Sequence, residues 1–230
     1  MKLARGVKRV LAALALLVLL WQGWYLGWVL YWKHFNPDTT AFMGQRLSEL
    51  REKNPKAELR RQWLPFDRIS PQLKLAVVAA EDDKFVDHEG FDWEGMQKAM
   101  EKNKKKGKVV AGGSTISQQL AKNLFLSAAK TPWRKAQEGI ITVWLELFWG
   151  KRRILEVYLN VVEWGEGVFG AEAAARRYFG VSATALGADQ AARLAVMLPA
   201  PRKFERNPYS PYLNSRCQSL QGRMQYSEVP

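Results

Sequence analysis

The sequence predicts a mainly α protein, with one N-terminal transmembrane helix ahead of a helical domain. Three observations predict it. Val10 to Trp32 contains no charged residue, and Gln22 is its only strongly polar side chain. Beyond that run, apolar residues recur at helical spacing and strand signals are scarce. Hydroxyl residues, prolines and glycines fall where helices begin and end. The 230 residues are 47% hydrophobic and 12% aromatic, enough to bury a sizeable core.

Taken in order, the apolar run comes first. As a helix it spans about 34 Å, which exceeds a bilayer core of roughly 30 Å. Lys2, Arg5, Lys8 and Arg9 precede it, so the positive-inside rule keeps the N-terminus cytoplasmic. Trp21, Trp24, Trp28, Tyr31 and Trp32 gather toward its far end, as interfacial aromatics do. A cleaved signal peptide is the competing reading; the length of the run and the lack of a following A-x-A site favour an uncleaved anchor. His34 to Arg61 reads as a polar connector with helical stretches. QLKLAVVAA reads as a buried helix with Leu73, Val77 and Ala80 on one face, and EKNKKKGK, Glu101 to Lys108, as an exposed mobile loop. Thr131-Pro132 is a helix start, a hydroxyl cap before proline at the first helical position. The helix after it puts Trp133, Gln137, Ile140, Ile141, Trp144 and Phe148 on one face. RRILEVYLNVV keeps the helical period through Ile154, Leu155, Tyr158, Leu159 and Val162. AEAAARRYFG stops at Gly180, and a last firm helix, Ala188 to Leu198, stops at Pro199 and Pro201.

The formal net charge of +13 favours an anionic partner: nucleic acid, an anionic membrane face or a phosphorylated substrate. With the body of the chain outside the cytoplasmic membrane, nucleic acid is not expected. Cys217 is the single cysteine, which excludes an internal disulfide framework and a cysteine-based zinc site.

Against this basic background EDDKFVDHEGFDWE, Glu81 to Glu94, holds seven acids in fourteen residues. Neither the EF-hand spacing nor HExxH is present, so no protein-caged metal site is expected. Glu81 stands four residues after Val77 and eight after Leu73, and so emerges on an apolar helix face. A carboxylate there is partly desolvated, and its pKa rises toward the range of a general acid or base. A helix cap or salt bridge is the plainer reading of the same residue. Glu138 follows Arg134 by one turn, which an ordinary ion pair explains, yet it borders the apolar edge of Ile141 and Leu145. Lys122, Lys130, Arg134 and Lys135 suit a polyphosphate or a solvated helix face. GGSTISQQLAKN, Gly112 to Asn123, has no acid and lacks the GK[ST] of a nucleotide-binding loop. Ser127 to Lys130 spells S-x-x-K, without the S-x-N and K-T-G that accompany it in transpeptidases.

Four segments together resemble the peptidoglycan glycosyltransferases, glycosyltransferase family 51. EDDKFVDHEG is similar to their first signature, GGSTISQQLAKN to the second, Arg134 to Glu138 (RKAQE) to the third and KRRILEVYLN, Lys151 to Asn160, to the fourth. They occur in the family's order, and the likeness runs from about Phe66 to Pro201. Ser117 departs from the commoner threonine and keeps the hydroxyl. With one anchor and no transpeptidase domain, the chain is most similar to the monofunctional biosynthetic members of Gram-negative bacteria.

The resemblance implies a lysozyme-like helical fold with head and jaw lobes. It divides the chain into a cytoplasmic tail (1–9), an anchor (10–32), a connector (33–65), a glycosyltransferase core (66–201) and a C-terminal tail (202–230). It implies that a growing glycan on undecaprenyl pyrophosphate is the donor and lipid II the acceptor. Glu81 would be the general base and Glu138 a second catalytic carboxylate on the donor side. Lys122, with Lys130, Arg134 and Lys135, would hold the pyrophosphate. Ser114, Thr115, Gln118, Gln119, Asn123, Asp82, Phe85 and His88 complete the implied substrate-binding set. It further implies Mg²⁺ or Mn²⁺ bridging the pyrophosphate with no organic cofactor, an inner-membrane location with the domain periplasmic, and partners in cell-wall synthesis or division. A lysozyme-like lytic enzyme and a non-catalytic anchored scaffold are the rival readings; the cations from Lys122 to Lys135 oppose the first, because glycan cleavage expels no pyrophosphate.

Overall fold

The computed structural model describes residues 2–108, 112–129 and 131–230, with side chains from Gly6 onward. Its contacts form two units, one ending at Pro37 and the other spanning Asp38–Pro230.

The first unit is a single helix, α1 (Lys2–Trp32). It begins ahead of the apolar run because the basic residues before Val10 continue the same helix. Gly6–Trp32 has a mean hydropathy of 1.8, and its most apolar stretch has no residue buried. Leu11, Leu14, Leu17 and Leu20 point outward without protein cover, an arrangement that is costly in water and favourable in lipid. Its aromatic end is internally packed, with Trp24 and Trp28 edge-to-face at 5.9 Å and Trp28 and Tyr31 at 5.6 Å.

The second unit begins with α2 (Ala41–Lys53), whose first turn is capped by Thr40, Oγ1 accepting from the Met43 N–H at 3.1 Å. Phe42 and Met43 are buried and α2 packs on α5 (Ile116–Phe125), so this part of the expected connector belongs to the body. The short strand β1 (Arg60–Arg61) follows. Then α3 (Pro71–Glu81) starts on a Ser70 cap with proline at its first position and buries Leu73, Ala76, Val77, Val78 and Ala79. The helix α4 (Trp93–Lys106) corrects the expectation of a loop at Glu101 to Lys108. Lysine is a good helix former, Asp92 caps the start and Gly107, at φ +62°, supplies the left-handed end. Its lysines are exposed as expected.

The helix α6 (Pro132–Phe148) begins at the Thr131 cap, but its buried face is Gln137, Glu138, Ile141, Thr142 and Leu145. Trp133 and Ile140, expected in that face, are exposed. In α7 (Lys151–Val161), by contrast, Ile154, Leu155, Tyr158 and Leu159 are all buried, as the period predicts. Two short strands, β2 (Glu163–Gly165) and β3 (Val168–Phe169), pair antiparallel, and β1 joins β3 in parallel to give the order β1-β3-β2. Gly170 follows at φ +82°, where a Cβ would lie 2.7 Å from the Asn160 carbonyl oxygen. Only glycine permits that approach.

The chain closes with α8 (Ala171–Phe179), ended by Gly180 at φ +69°, then α9 (Ala188–Met197), the single turn α10 (Pro201–Phe204) and α11 (Pro211–Met224). The last is a correction to the expected tail. Leu213, Cys217, Leu220 and Met224 form an i, i+4, i+7, i+11 stripe, and all are buried against α3 and α9. Ending the chain at Ser210 is therefore expected to unfold the body. Each lost apolar side chain costs roughly 1.5–3 kcal/mol, and together they approach a typical domain stability of about 5–15 kcal/mol. Thermal unfolding of the truncated chain checks this, and a wild-type melting temperature would contradict it.

Candidate active site

The C-terminal turn of α3 places Glu81 and Asp82 side by side, and their fates differ. Asp82 is buried, with Oδ2 accepting from the Ile116 N–H at 2.9 Å and Oδ1 lying 2.8 Å from His88 Nε2. His88 Nδ1 accepts from the Gly90 N–H at 3.1 Å, so the proton on Nε2 is the one offered to Asp82. Thr115 caps α5, exchanges a capping box with Gln118 and donates its hydroxyl to the Gly90 carbonyl at 2.7 Å. Phe85 is fully buried. Asp82, Phe85, His88, Thr115 and Gln118, all expected to touch substrate, help to join α3, the Gly90 turn and α5, and of these Asp82 and Thr115 also line a cavity beside Glu81. Removing the Asp82 carboxylate, as in Asp82→Ala, is expected to cost about 1–3 kcal/mol by stranding a buried N–H, read as a lower melting temperature.

Glu81 is left to face a cleft of about 540 Å³. One side of that cleft is the face of α5 carrying Gln119, Lys122 and Asn123, opposite the buried Ile116, Leu120 and Leu124. Gln119 Nε2 donates to Glu81 Oε2 at 2.8 Å. Asn123 Nδ2 donates to the Gln119 carbonyl oxygen at 2.7 Å. A second side comes from α6, where Glu138 is buried and receives Arg134 at 2.5 Å and Lys135 in a closer contact. Lys135 also donates to Ser114 Oγ at 3.2 Å. Lys130 lies outside the described residues. The remaining wall is unannounced by the motifs: Phe42 and Arg46 of α2, Glu163 of β2, and the Leu198 to Pro201 turn. Arg46 pairs with Glu163 at 3.1 Å across 117 residues of sequence, a separation no local pattern reports.

Glu81 also lines a second cavity of about 180 Å³, where Asp82, Asp83 and Asp92 outnumber the one cation, Arg223, beside Gly112, Gly113 and Ser114. One carboxylate therefore stands between two spaces.

The electrostatics follow from burial. It is the largest influence on Glu81 and raises its pKa; the Gln119 hydrogen bond and Lys122 oppose it. Lys122 is pushed down, chiefly by burial and further by Arg134 and Lys135, while Glu138 and Glu81 hold it up. Burial likewise raises Glu163 against Arg46 and Arg202. Arg134 Nε is buried without a hydrogen-bond partner among the described residues. No cluster of three or more His, Cys, Asp or Glu able to hold a metal occurs among the described residues. Both Glu138 oxygens already meet cations. The described side chains do not make a metal cage.

A half-buried carboxylate to take a proton, with fixed cations beside it to receive an anionic leaving group, defines a helical group-transfer enzyme. Residues 44–225 match the family model described as transglycosylase, and the chain belongs to that family. It is 61% identical over 226 residues to the biosynthetic peptidoglycan transglycosylase of Aromatoleum aromaticum, covering 98% of each chain. The proteins of the same description from Azoarcus sp. and Dechloromonas aromatica are 61% and 60% identical, over 98% and 99% of this chain and 97% and 99% of theirs. The chain is thus a peptidoglycan glycosyltransferase, with a mostly helical body and an N-terminal helix apolar enough to span a membrane.

Proposed function

We propose that the chain polymerises lipid II, with Glu81 as base and the Lys122–Arg134 side as the seat of the leaving group. The observation that carries this is the position of Glu81 between two cavities, one with Arg46, Lys122, Arg134 and Lys135 in its wall and one in which acids outnumber the single Arg223. The growing strand, linked through its reducing-end sugar to undecaprenyl pyrophosphate, occupies the cationic cleft. Lipid II brings its sugar 4-hydroxyl to Glu81 from the second cavity. Glu81 takes the hydroxyl proton as the oxygen attacks the donor's anomeric carbon. The bond from that carbon to the pyrophosphate oxygen breaks with inversion, so an α-linked donor gives a β-1,4 bond. An alcohol is a weak nucleophile near neutral pH, which is why a base within hydrogen-bond reach is needed. The departing oxygen gains negative charge, which Lys122 and the Arg134 guanidinium in the cleft wall stabilise. Lys135 and Arg134 hold Glu138 on the donor side, where it orients the cations. Mg²⁺ or Mn²⁺ would be held by the pyrophosphate rather than by a protein cage, and would share its charge with Lys122 and Arg134.

Basic residues before an apolar helix favour a cytoplasmic N-terminus and a periplasmic domain at the inner membrane. There a prenyl-tethered substrate and an anchored enzyme meet on one surface, alongside cell-wall synthesis or division proteins. Purified chain mixed with lipid II is expected to give glycan polymer; lipid II left intact would overturn the proposal.

The pH dependence follows from Glu81. A base works only when deprotonated, and a raised pKa delays deprotonation. Lowering the pH is therefore expected to remove activity at a value above the ordinary glutamate range of about 4.3. An acid limb of kcat/KM at or below that range would contradict a desolvated base.

A further inference from the structure

We propose that Tyr158 is a positioning residue for Glu81, acting through the side-chain amide of Gln119; this rests on the reading of Glu81 as the base. Three helices meet in one chain of hydrogen bonds. Tyr158 on α7 donates its hydroxyl to Gln119 Oε1 at 2.9 Å, and Gln119 on α5 donates Nε2 to Glu81 Oε2 on α3 at 2.8 Å. Tyr158 is fully buried and lines neither cavity, so it meets no substrate.

The two ends of a glutamine amide have nearly the same shape and opposite hydrogen-bonding character. Turned about, Gln119 would present its oxygen lone pairs to the Glu81 carboxylate. What opposes that turn is a donor fixed on the far side of the amide, and the Tyr158 hydroxyl is that donor. Burial raises its pKa well above the ordinary tyrosine value, so it stays a neutral O–H wherever the enzyme works. The tyrosine selects which end of Gln119 faces the base. The amide in turn aims the carboxylate and favours its ionised form.

Other groups set the background against which this acts. Asp82 beside Glu81 raises its pKa, and Lys122 from α5 and Arg216 from α11 lower it. Arg223, also on α11, lines the second cavity. Arg193 of α9 is turned to the Pro208 carbonyl and Asn214 Oδ1. None of these contacts changes when the tyrosine oxygen is removed.

Tyr158→Phe keeps the ring and deletes the donor. A hydrogen bond of ordinary net strength corresponds to roughly a three- to ten-fold change in an equilibrium constant. The acid limb of kcat/KM should then move up by about half to one pH unit, the same effect in logarithmic form. The test measures pH–rate profiles on the full chain with lipid II for Tyr158→Phe, Gln119→Ala, the double variant and Glu81→Gln. The expected result is a raised limb and lower kcat for Tyr158→Phe with KM for lipid II unchanged, and no further shift when it is added to Gln119→Ala. An unmoved limb in Tyr158→Phe, or an equal shift with Gln119 absent, overturns the proposal while leaving Glu81 as base. Wild-type activity in Glu81→Gln would instead remove the reading beneath it. Should the phenylalanine variant not fold, 3-fluorotyrosine at position 158 keeps a stronger donor. It should hold the limb at or below its wild-type position, and a raised limb there also overturns the proposal.

Discussion

Glu81→Gln is expected to lower the turnover of lipid II by roughly 10²–10⁴-fold, the usual contribution of a general base. The substitution keeps the side chain's shape and can still accept from Gln119, so the hydrogen bond at the end of α3 survives. Burial opposes the ionised form of Glu81 and raises its pKa in the folded protein. Its contribution to stability is therefore complete below the ordinary glutamate range and lost as pH rises through the raised value. At neutral pH the ionised side chain is a burden on the fold, and a neutral glutamine removes it. Turnover should collapse while the melting temperature holds or rises. A melting temperature that falls with activity would mean the variant fails by unfolding, and full turnover would remove Glu81 from the chemistry.

Lys122→Met is the second large effect. It retains most of the apolar stem beside Phe42, whose ring centroid lies 5.7 Å from Lys122 Nζ, and deletes the charge. Loss of one preorganised stabiliser of developing charge typically costs about 10²–10³ in kcat. Lys122 also holds the Glu81 pKa down, so its removal should lift the acid limb as well as lower the plateau. Inorganic pyrophosphate, a mimic of the leaving group, should inhibit the wild type and lose potency against Lys122→Met. Equal inhibition of both would place the pyrophosphate elsewhere. Lys122→Arg is not a neutral control, because a guanidinium is planar and longer than an ammonium.

Much of this site is legible from the chain. Glu81 announces itself by standing one and two turns after Val77 and Leu73 on a buried helix face, and both are fully buried. Thr131-Pro132 marks the start of α6, and Gly180 the end of α8, at positions where backbone chemistry leaves few choices. Other features were hidden for physical reasons. The inner face of α6 is carried by Gln137, Glu138 and Thr142 as much as by Ile141 and Leu145. The apolar period finds Gln137 and Ile141 correctly but adds Trp133 and Ile140, which are exposed, and so rotates the face away from Glu138 and Thr142. The α11 stripe is diluted by intervening residues that are all polar except Gly222, and so reads as a tail. Asp82 and His88 enter the expected site through the EDDKFVDHEG resemblance. Only the fold reveals that they also bond the Ile116 N–H and each other. The Arg46–Glu163 wall is a tertiary contact with no local trace.

The most direct test of the account is the product balance of the purified chain with lipid II and, separately, with preformed glycan. One undecaprenyl pyrophosphate released for every new β-1,4 bond, with preformed glycan untouched, is the predicted result. Sugar fragments cut from preformed glycan, with no pyrophosphate released from lipid II, would contradict it.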